Sequence, residues 1–225
     1  MMSWICWVAV LTVGVATSAS TALAGIPIPS PIHSTYPQKS ITLVGRNDSN
    51  TPAEDSAGEF MVIVRNTDGF PSPGAEVTIN FSNCTPDILV SDIQTFPGLS
   101  VTCDGAGPTV RAFANGQGVV WLRILGAAVN AGNSPGAGPD CAVLRAQGVF
   151  FNTLTIAAFD QNSSAVQNGV RANDVAVVIS DVLAKVVVGR SDFNHDEVVQ
   201  IDDVPILIST LLSGRSAQNV ASICP

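Results

Sequence analysis

One offset organises the end of this chain. Sliding the sequence by 29 residues carries Asn173-Asp174-Val175 onto Asp202-Asp203-Val204, and the apolar residues that follow coincide as well. Val175, Val178, Ile179, Val182 and Leu183 fall at i, i+3, i+4, i+7 and i+8, and Val204, Leu207, Ile208, Leu211 and Leu212 repeat the pattern. Apolar side chains at that spacing share one stripe of an α-helix. The repeat therefore predicts two amphipathic helices, each opened by an aspartate, with stripes that can be buried on one another.

Ahead of the second helix, oxygen-bearing residues recur at alternate positions. Counting Asp192 as position 1, Asn194 stands at 3, Asp196 at 5, Val198 at 7 with its carbonyl, and Asp203 at 12. Alternate residues of a tightly curled loop point at one centre, while position 12 reaches in from the helix. A hard cation wanting six to eight oxygens fits that set, which predicts calcium held by Asp192, Asn194, Asp196, Val198 and Asp203. Two positions depart from the usual pattern. Glu197 occupies position 6, where a sharp turn favours glycine, so a Cβ there costs on the order of 1 kcal/mol or distorts the loop. Asp203 is one methylene shorter than the glutamate expected at position 12. The competing interpretation is a solvated helix N-terminus, where Asp202 and Asp203 would complement the dipole without any metal.

With these residues in place, the last 65 or so, near 160–225, resemble the dockerin type I domain, a duplicated module of EF-type calcium loop and helix. The resemblance implies a calcium loop in each half and a protein partner of the cohesin kind. In the second half Asp192, Asn194, Asp196 and Asp203 match ligand positions. In the first, the 29-residue offset puts Ser163, Ala165 and Gln167 where ligands belong and leaves only Asp174 at position 12. An insertion would let Asp160 and Asn162 open a longer loop, and we expect that loop to be empty. Positions 10 and 11, where small hydroxyls contact the partner in such modules, hold Ala172 with Asn173 and Ile201 with Asp202. A cell-surface protein is therefore the other candidate partner.

At the opposite end, residues 1–24 carry no charge, and 5–16 form an apolar run too short to cross a bilayer. Ala22-Leu23-Ala24 is a small-x-small cleavage pattern, so 1–24 is predicted to be a signal peptide, the alternative being an uncleaved anchor. A secreted or cell-surface location follows, with no membrane span after cleavage. Cys84, Cys103, Cys141 and Cys224 remain, an even number suited to an oxidising compartment. Of their three pairings we favour Cys84 with Cys103, leaving Cys141 with Cys224 to tie the tail back.

Residues 25–57 form an arm rich in proline and small polar residues, with an edge strand over 41–44. From 58 to 158 short alternating runs, at 60–65, 75–81, 99–103, 110–114, 119–125, 142–147 and 149–157, are separated by Gly, Pro and Asn turns. Residues 127–140 read as an exposed loop. Such spacing predicts an antiparallel sandwich. The turn Asp68-Gly69-Phe70-Pro71-Ser72-Pro73-Gly74 between two strands is similar to bacterial immunoglobulin-like repeats of the invasin and intimin sort. Trp121, inside the apolar run 119–125, is expected to anchor the core. The predicted whole is mainly β with a small α domain: an immunoglobulin-like β-sandwich at 58–158, then a dockerin-like pair of EF-type loop-helix units at 159–225.

The net charge of −8, with no basic cluster, argues against nucleic acid. Only two histidines occur, His33 and His195, and neither lies beside a recognisable nucleophile. The expectation is an exported, non-catalytic interaction or structural protein with a spacer or adhesin sandwich. The alternative, implied by the dockerin resemblance, is an accessory component of a polysaccharide-degrading assembly, with carbohydrate binding or two glycosidase acids on separate strands.

Overall fold

The computed structural model describes residues 27–44, 58–84, 88–94, 96–104, 107–128, 141–161, 170–184, 189–212 and 224. The predicted signal peptide, the arm from 45 to 57 and the middle of the first loop, 162–169, lie outside these. The fold is mainly β. Ten strands precede two helices: β1 (Ser40–Leu43), β2 (Glu59–Ile63), β3 (Glu76–Asn80), β4 (Ile88–Val90), β5 (Ser100–Asp104), β6 (Gly107–Phe113), β7 (Val119–Arg123), β8 (Gly126–Ala128), β9 (Ala142–Ala146), β10 (Val149–Ala158), α1 (Ala172–Ala184) and α2 (Asp203–Leu212).

Alternation builds the sheets. On β3, Val77 and Ile79 are buried while Glu76, Thr78 and Asn80 are not, and the partners of Val77 and Ile79 on β6, Ala112 and Val110, are buried too. Since the side-chain period is two, matching inward faces fixes the register. A six-stranded sheet runs β1-β10-β9-β3-β6-β5, antiparallel except that β1 lies parallel to β10 at one edge. β2 pairs with β7 and β4 with β8, and inward residues of all three sheets, among them Ile41, Val62, Ile79, Val90, Leu122 and Leu144, share one core.

Three expectations are corrected. Trp121 does not anchor the core: Val120 and Leu122 point inward, so the residue between them is half exposed on the outer face with Arg123. Ala127 and Ala128 are not in an exposed loop but in β8, fully buried, because two alanines are small enough to lie flat against β4. The disulfides join Cys84 to Cys141 and Cys103 to Cys224. Spatial order in the sheet decides this. β9 pairs with β3, so the start of β9 meets the turn that follows β3, whereas β6 separates β3 from β5 and its Cys103. The tail is still tied back, by Cys103 and by the Cys224 N–H donating to the Val90 carbonyl (3.1 Å). Closing loops of 57 and 121 residues stabilises the fold by on the order of 4 kcal/mol each in the chain-entropy account.

Val44, Leu125 and Ala157 from the β part join Phe159, Val170, Val178, Phe193, Val204 and Leu207 in a second core. The helical pair is thus seated on the end of the β scaffold, and its stripes are only partly spent on each other. Val178, Val204 and Leu207 are buried, while Ile179, Leu183 and Leu212 are exposed. Where the connector crosses β10, Gly189 lies so close to the Thr155 side chain that a Cβ would overlap it.

Candidate metal centre

Asp192 follows a short 3-10 turn, Gly189–Ser191, that packs on β10. Its two carboxylate oxygens accept the N–H groups of Asp196 (3.1 Å) and Glu197 (3.0 Å), which curls the loop around it. Asn194 Oδ1 accepts from the Asp196 N–H (3.1 Å), and Asp196 Oδ1 accepts from the Val198 N–H (2.9 Å). Asp203 closes the loop from the first turn of α2. Its Oδ2 caps the helix by accepting the Gln200 N–H (2.9 Å), and its Oδ1 accepts the N–H groups of Phe193 (2.7 Å) and Asn194 (3.2 Å). Positions 1 and 12 are so brought together across the loop. Asn194 Nδ2 also reaches the carboxylates of Asp196 (3.2 Å) and Asp202 (3.3 Å). Asn194, Asp196 and Val198 lie towards solvent.

The backbone takes the sharp turn that position 6 requires: φ is +74° at Glu197 and +64° at His195. An L-residue there is strained by on the order of 1 kcal/mol. Glu197 also pairs with Lys39 (3.1 Å), and His195 is hydrogen-bonded through Nδ1 to Ser40 Oγ (2.6 Å) and through Nε2 to Thr42 Oγ1 (3.4 Å). The loop rests on β1.

The first half repeats the closing contacts at a different length. Asp174 Oδ2 accepts the Arg171 N–H (2.6 Å), as Asp203 accepts from Gln200, and Asp174 Oδ1 accepts the Gln161 N–H (2.8 Å), as Asp203 accepts from Phe193. Gln161 is 13 residues before Asp174, whereas Phe193 is 10 before Asp203. The first loop is therefore three residues longer and opens at Asp160. The halves also cross-contact. Gln161 Nε2 donates to the Arg190 carbonyl (2.7 Å), Gln161 Oε1 lies 3.2 Å from Ser191 Oγ, and Phe193 stacks on Phe159. Arg190 sits buried in a two-pronged ion pair with Asp181 (2.8 and 2.6 Å), with Ser191 Oγ donating to the same carboxylate (2.7 Å). Neither the Asp181–Arg190 pair nor the Phe159–Phe193 stack has a signature in sequence, since each joins residues on separate elements.

The donor set fits a cation in one specific respect. Asp192 and Asp203 are 2% and 0% exposed, and among the described residues neither is paired with a lysine or arginine. Burial, with a further contribution from the Asp192 charge, holds the Asp203 carboxyl above its ordinary 3.8 despite three N–H donors. Among the described residues no three His, Cys, Asp or Glu side chains gather as a metal group. The set read from sequence holds three such side chains, Asp192, Asp196 and Asp203, together with an amide oxygen and a backbone carbonyl; the structure buries the first and the last, while Asp196 lies towards solvent and the three are not drawn in around one centre. No family model, no curated protein and no solved structure matches the chain.

Proposed function

We propose that this is an exported, non-catalytic β scaffold of immunoglobulin-like kind, closed at one end by a dockerin-like loop-helix pair that calcium staples in place. The cap holds the scaffold and presents a surface to a protein partner outside the cell or on its envelope. The observation that carries this is the pair of buried carboxylates, Asp192 and Asp203, which have no lysine or arginine partner among the described residues, in a loop whose own Phe193 is part of the core shared with the sheet. A buried carboxylate without a counter-charge is costly. Calcium supplies that charge, with Asp192, Asn194, Asp196, Val198 and Asp203 as its holders. The contrast with Asp181 is instructive, because there the chain provides Arg190 for the same purpose.

The test is calorimetric titration of the mature chain, residues 25–225, with calcium. One ion should bind, and Asp192→Ala should remove the heat while leaving the fold, read by circular dichroism in chelator, intact. Absence of heat from the unmodified chain would overturn the calcium reading. Capture of envelope proteins with and without calcium then separates docking from capping. The polysaccharide-assembly reading would be favoured by a row of exposed aromatics. Phe113 and Phe150 share the outer face of the large sheet, but β9 and β3 stand between their strands, and Trp121 lies on β7 in another sheet.

A further inference from the structure

The arm changes sheets, and the place where it does so leaves a cavity. Thr35 exchanges both backbone hydrogen bonds with Ile63 on β2 (3.0 and 2.7 Å), and Ser30 N–H donates to the Arg65 carbonyl (2.8 Å). Residues 36–39 then cross to the large sheet, where β1 pairs with β10. β1 and β2 meet again at their far ends, where Gly58 lies so close to Val44 that a Cβ would overlap its side chain. Between them opens a three-sided cavity of about 490 Å3, framed by the crossing arm, β1 and β2, with His195 of the metal loop at its rim. This is within the size of small-molecule sites, roughly 300–1,000 Å3.

Its chemistry is specific. Tyr36 and Phe60 give it aromatic surface, both packed against the main core and so held in place. Along β2, residues two apart direct their backbone groups to the same side, so the amide and carbonyl of Met61 face the cavity as those of Ile63 face Thr35. The charges at the rim are neutralised in pairs: Lys39 with Glu197, and Glu59 with Arg123. The Ser40 and Thr42 hydroxyls are engaged with His195, whereas the exposed Gln38 amide, which donates one N–H to the Tyr36 carbonyl (3.0 Å), has its oxygen and second N–H to offer a ligand. The frame is closed at both ends, so an extended peptide strand cannot run through it. Aromatic faces beside uncharged hydrogen-bonding groups suit a neutral ligand with one apolar face and many hydroxyls.

We propose that this cavity binds a mono- or disaccharide, stacked on Tyr36 and Phe60 and hydrogen-bonded by the Gln38 amide and the Met61 backbone. The site stands on the β framework, and it touches the metal loop at its rim, through His195 and through the pair of Lys39 with Glu197.

Saturation-transfer NMR on the mature chain, with methyl β-glucoside, methyl β-galactoside and N-acetylglucosamine as separate probes, tests it. At least one sugar should receive transfer. Phe60→Ala should weaken that binding about tenfold, equivalent to roughly 1.4 kcal/mol. Because Phe60 touches the core, Gln38→Trp serves as a second variant: Gln38 is exposed, and the indole would fill the mouth and block binding in a folded chain. Phe150→Ala, on the outer sheet face, should change nothing. No transfer to any of the three sugars overturns the proposal, as does transfer that survives both cavity variants or is lost in Phe150→Ala. Binding that Gln38→Trp blocks and chelator leaves unchanged supports the cavity and leaves the calcium reading to its own calorimetric test.

Discussion

Phe193 stacks on Phe159, ring centroids 5.1 Å apart and planes 28° from parallel. The first ring belongs to the candidate metal loop and the second directly follows β10, so the loop and the sheet share one packing contact. Both rings are fully buried with Val44 and Leu125. Phe193→Ala should destabilise the chain by about 3–5 kcal/mol, the usual cost of emptying an aromatic site. Because the core is shared, thermal unfolding followed by circular dichroism should remain one transition shifted down. Two separated transitions would show that the helical cap melts independently of the scaffold.

Calcium should raise the melting temperature of the mature chain. At a concentration 100 times Kd the stabilisation is about 2.7 kcal/mol, or roughly 5–10 °C for a chain of this length. Asp203→Asn should abolish this shift; because both carboxylate oxygens accept backbone N–H groups, the amide gives up one of these acceptors, so the variant in chelator should also lose about 1–3 kcal/mol. A calcium response that survives Asp203→Asn would remove Asp203 from the ligand set.

The same carboxyl gives a pH dependence with a definite sign. In the calcium-free protein Asp203 titrates above its ordinary 3.8, so the folded state holds this proton more tightly than the unfolded one. Its contribution to folding is fully present below that ordinary value and is lost as pH rises through the raised one. A cation held by this carboxyl would require its ionised form, so on the proposed reading the calcium-induced shift in melting temperature should shrink as pH falls through the same window. Melting curves in chelator and in calcium, measured down the acid range, check both signs.

Glu197→Gly should stabilise the chain by about 0.5–1 kcal/mol, because glycine adopts φ +74° without the strain of a Cβ. The lost pair with Lys39 joins two largely exposed side chains and contributes little. Urea midpoints at constant m-value measure it. A destabilisation instead would mean that the contact with Lys39 anchors the loop on β1.

Asp181→Ala should cost about 3–5 kcal/mol, since it removes the carboxylate that holds the guanidinium of Arg190 by two hydrogen bonds at 4% exposure. Adding Arg190→Met should recover much of the loss. If the double variant is no better than the single, Ser191 and its contact with Gln161 hold this junction.

Local pattern was legible because local pattern is what made these elements. The period-two runs of β3, β6 and β7 and the 3.6-period stripes of α1 and α2 each encode which side faces inward, and the loop spacing from Asp192 to Asp203 encodes a closed turn. β4 and β8 escaped sequence reading, because Ile88–Val90 and Gly126–Ala128 are too short for a period and alanine has little preference for strands. The orientation of Trp121 was in fact encoded, by the charged Arg123 on its own side of the strand.

What joins distant segments was decided only in three dimensions. Strand order set which cysteines met, and it follows from how whole faces pack, a sum over many weak contacts that no short window contains. The same holds for Phe159 against Phe193, for Asp181 against Arg190, and for the cavity where the arm crosses from β2 to β1. The sequence by itself determined most of the strands, the two helices and the alternating oxygen-bearing residues of the loop. The tertiary structure decided that the loop's first and last carboxylates are buried, with no lysine or arginine paired to them among the described residues, since burial belongs to the assembled core and not to any residue.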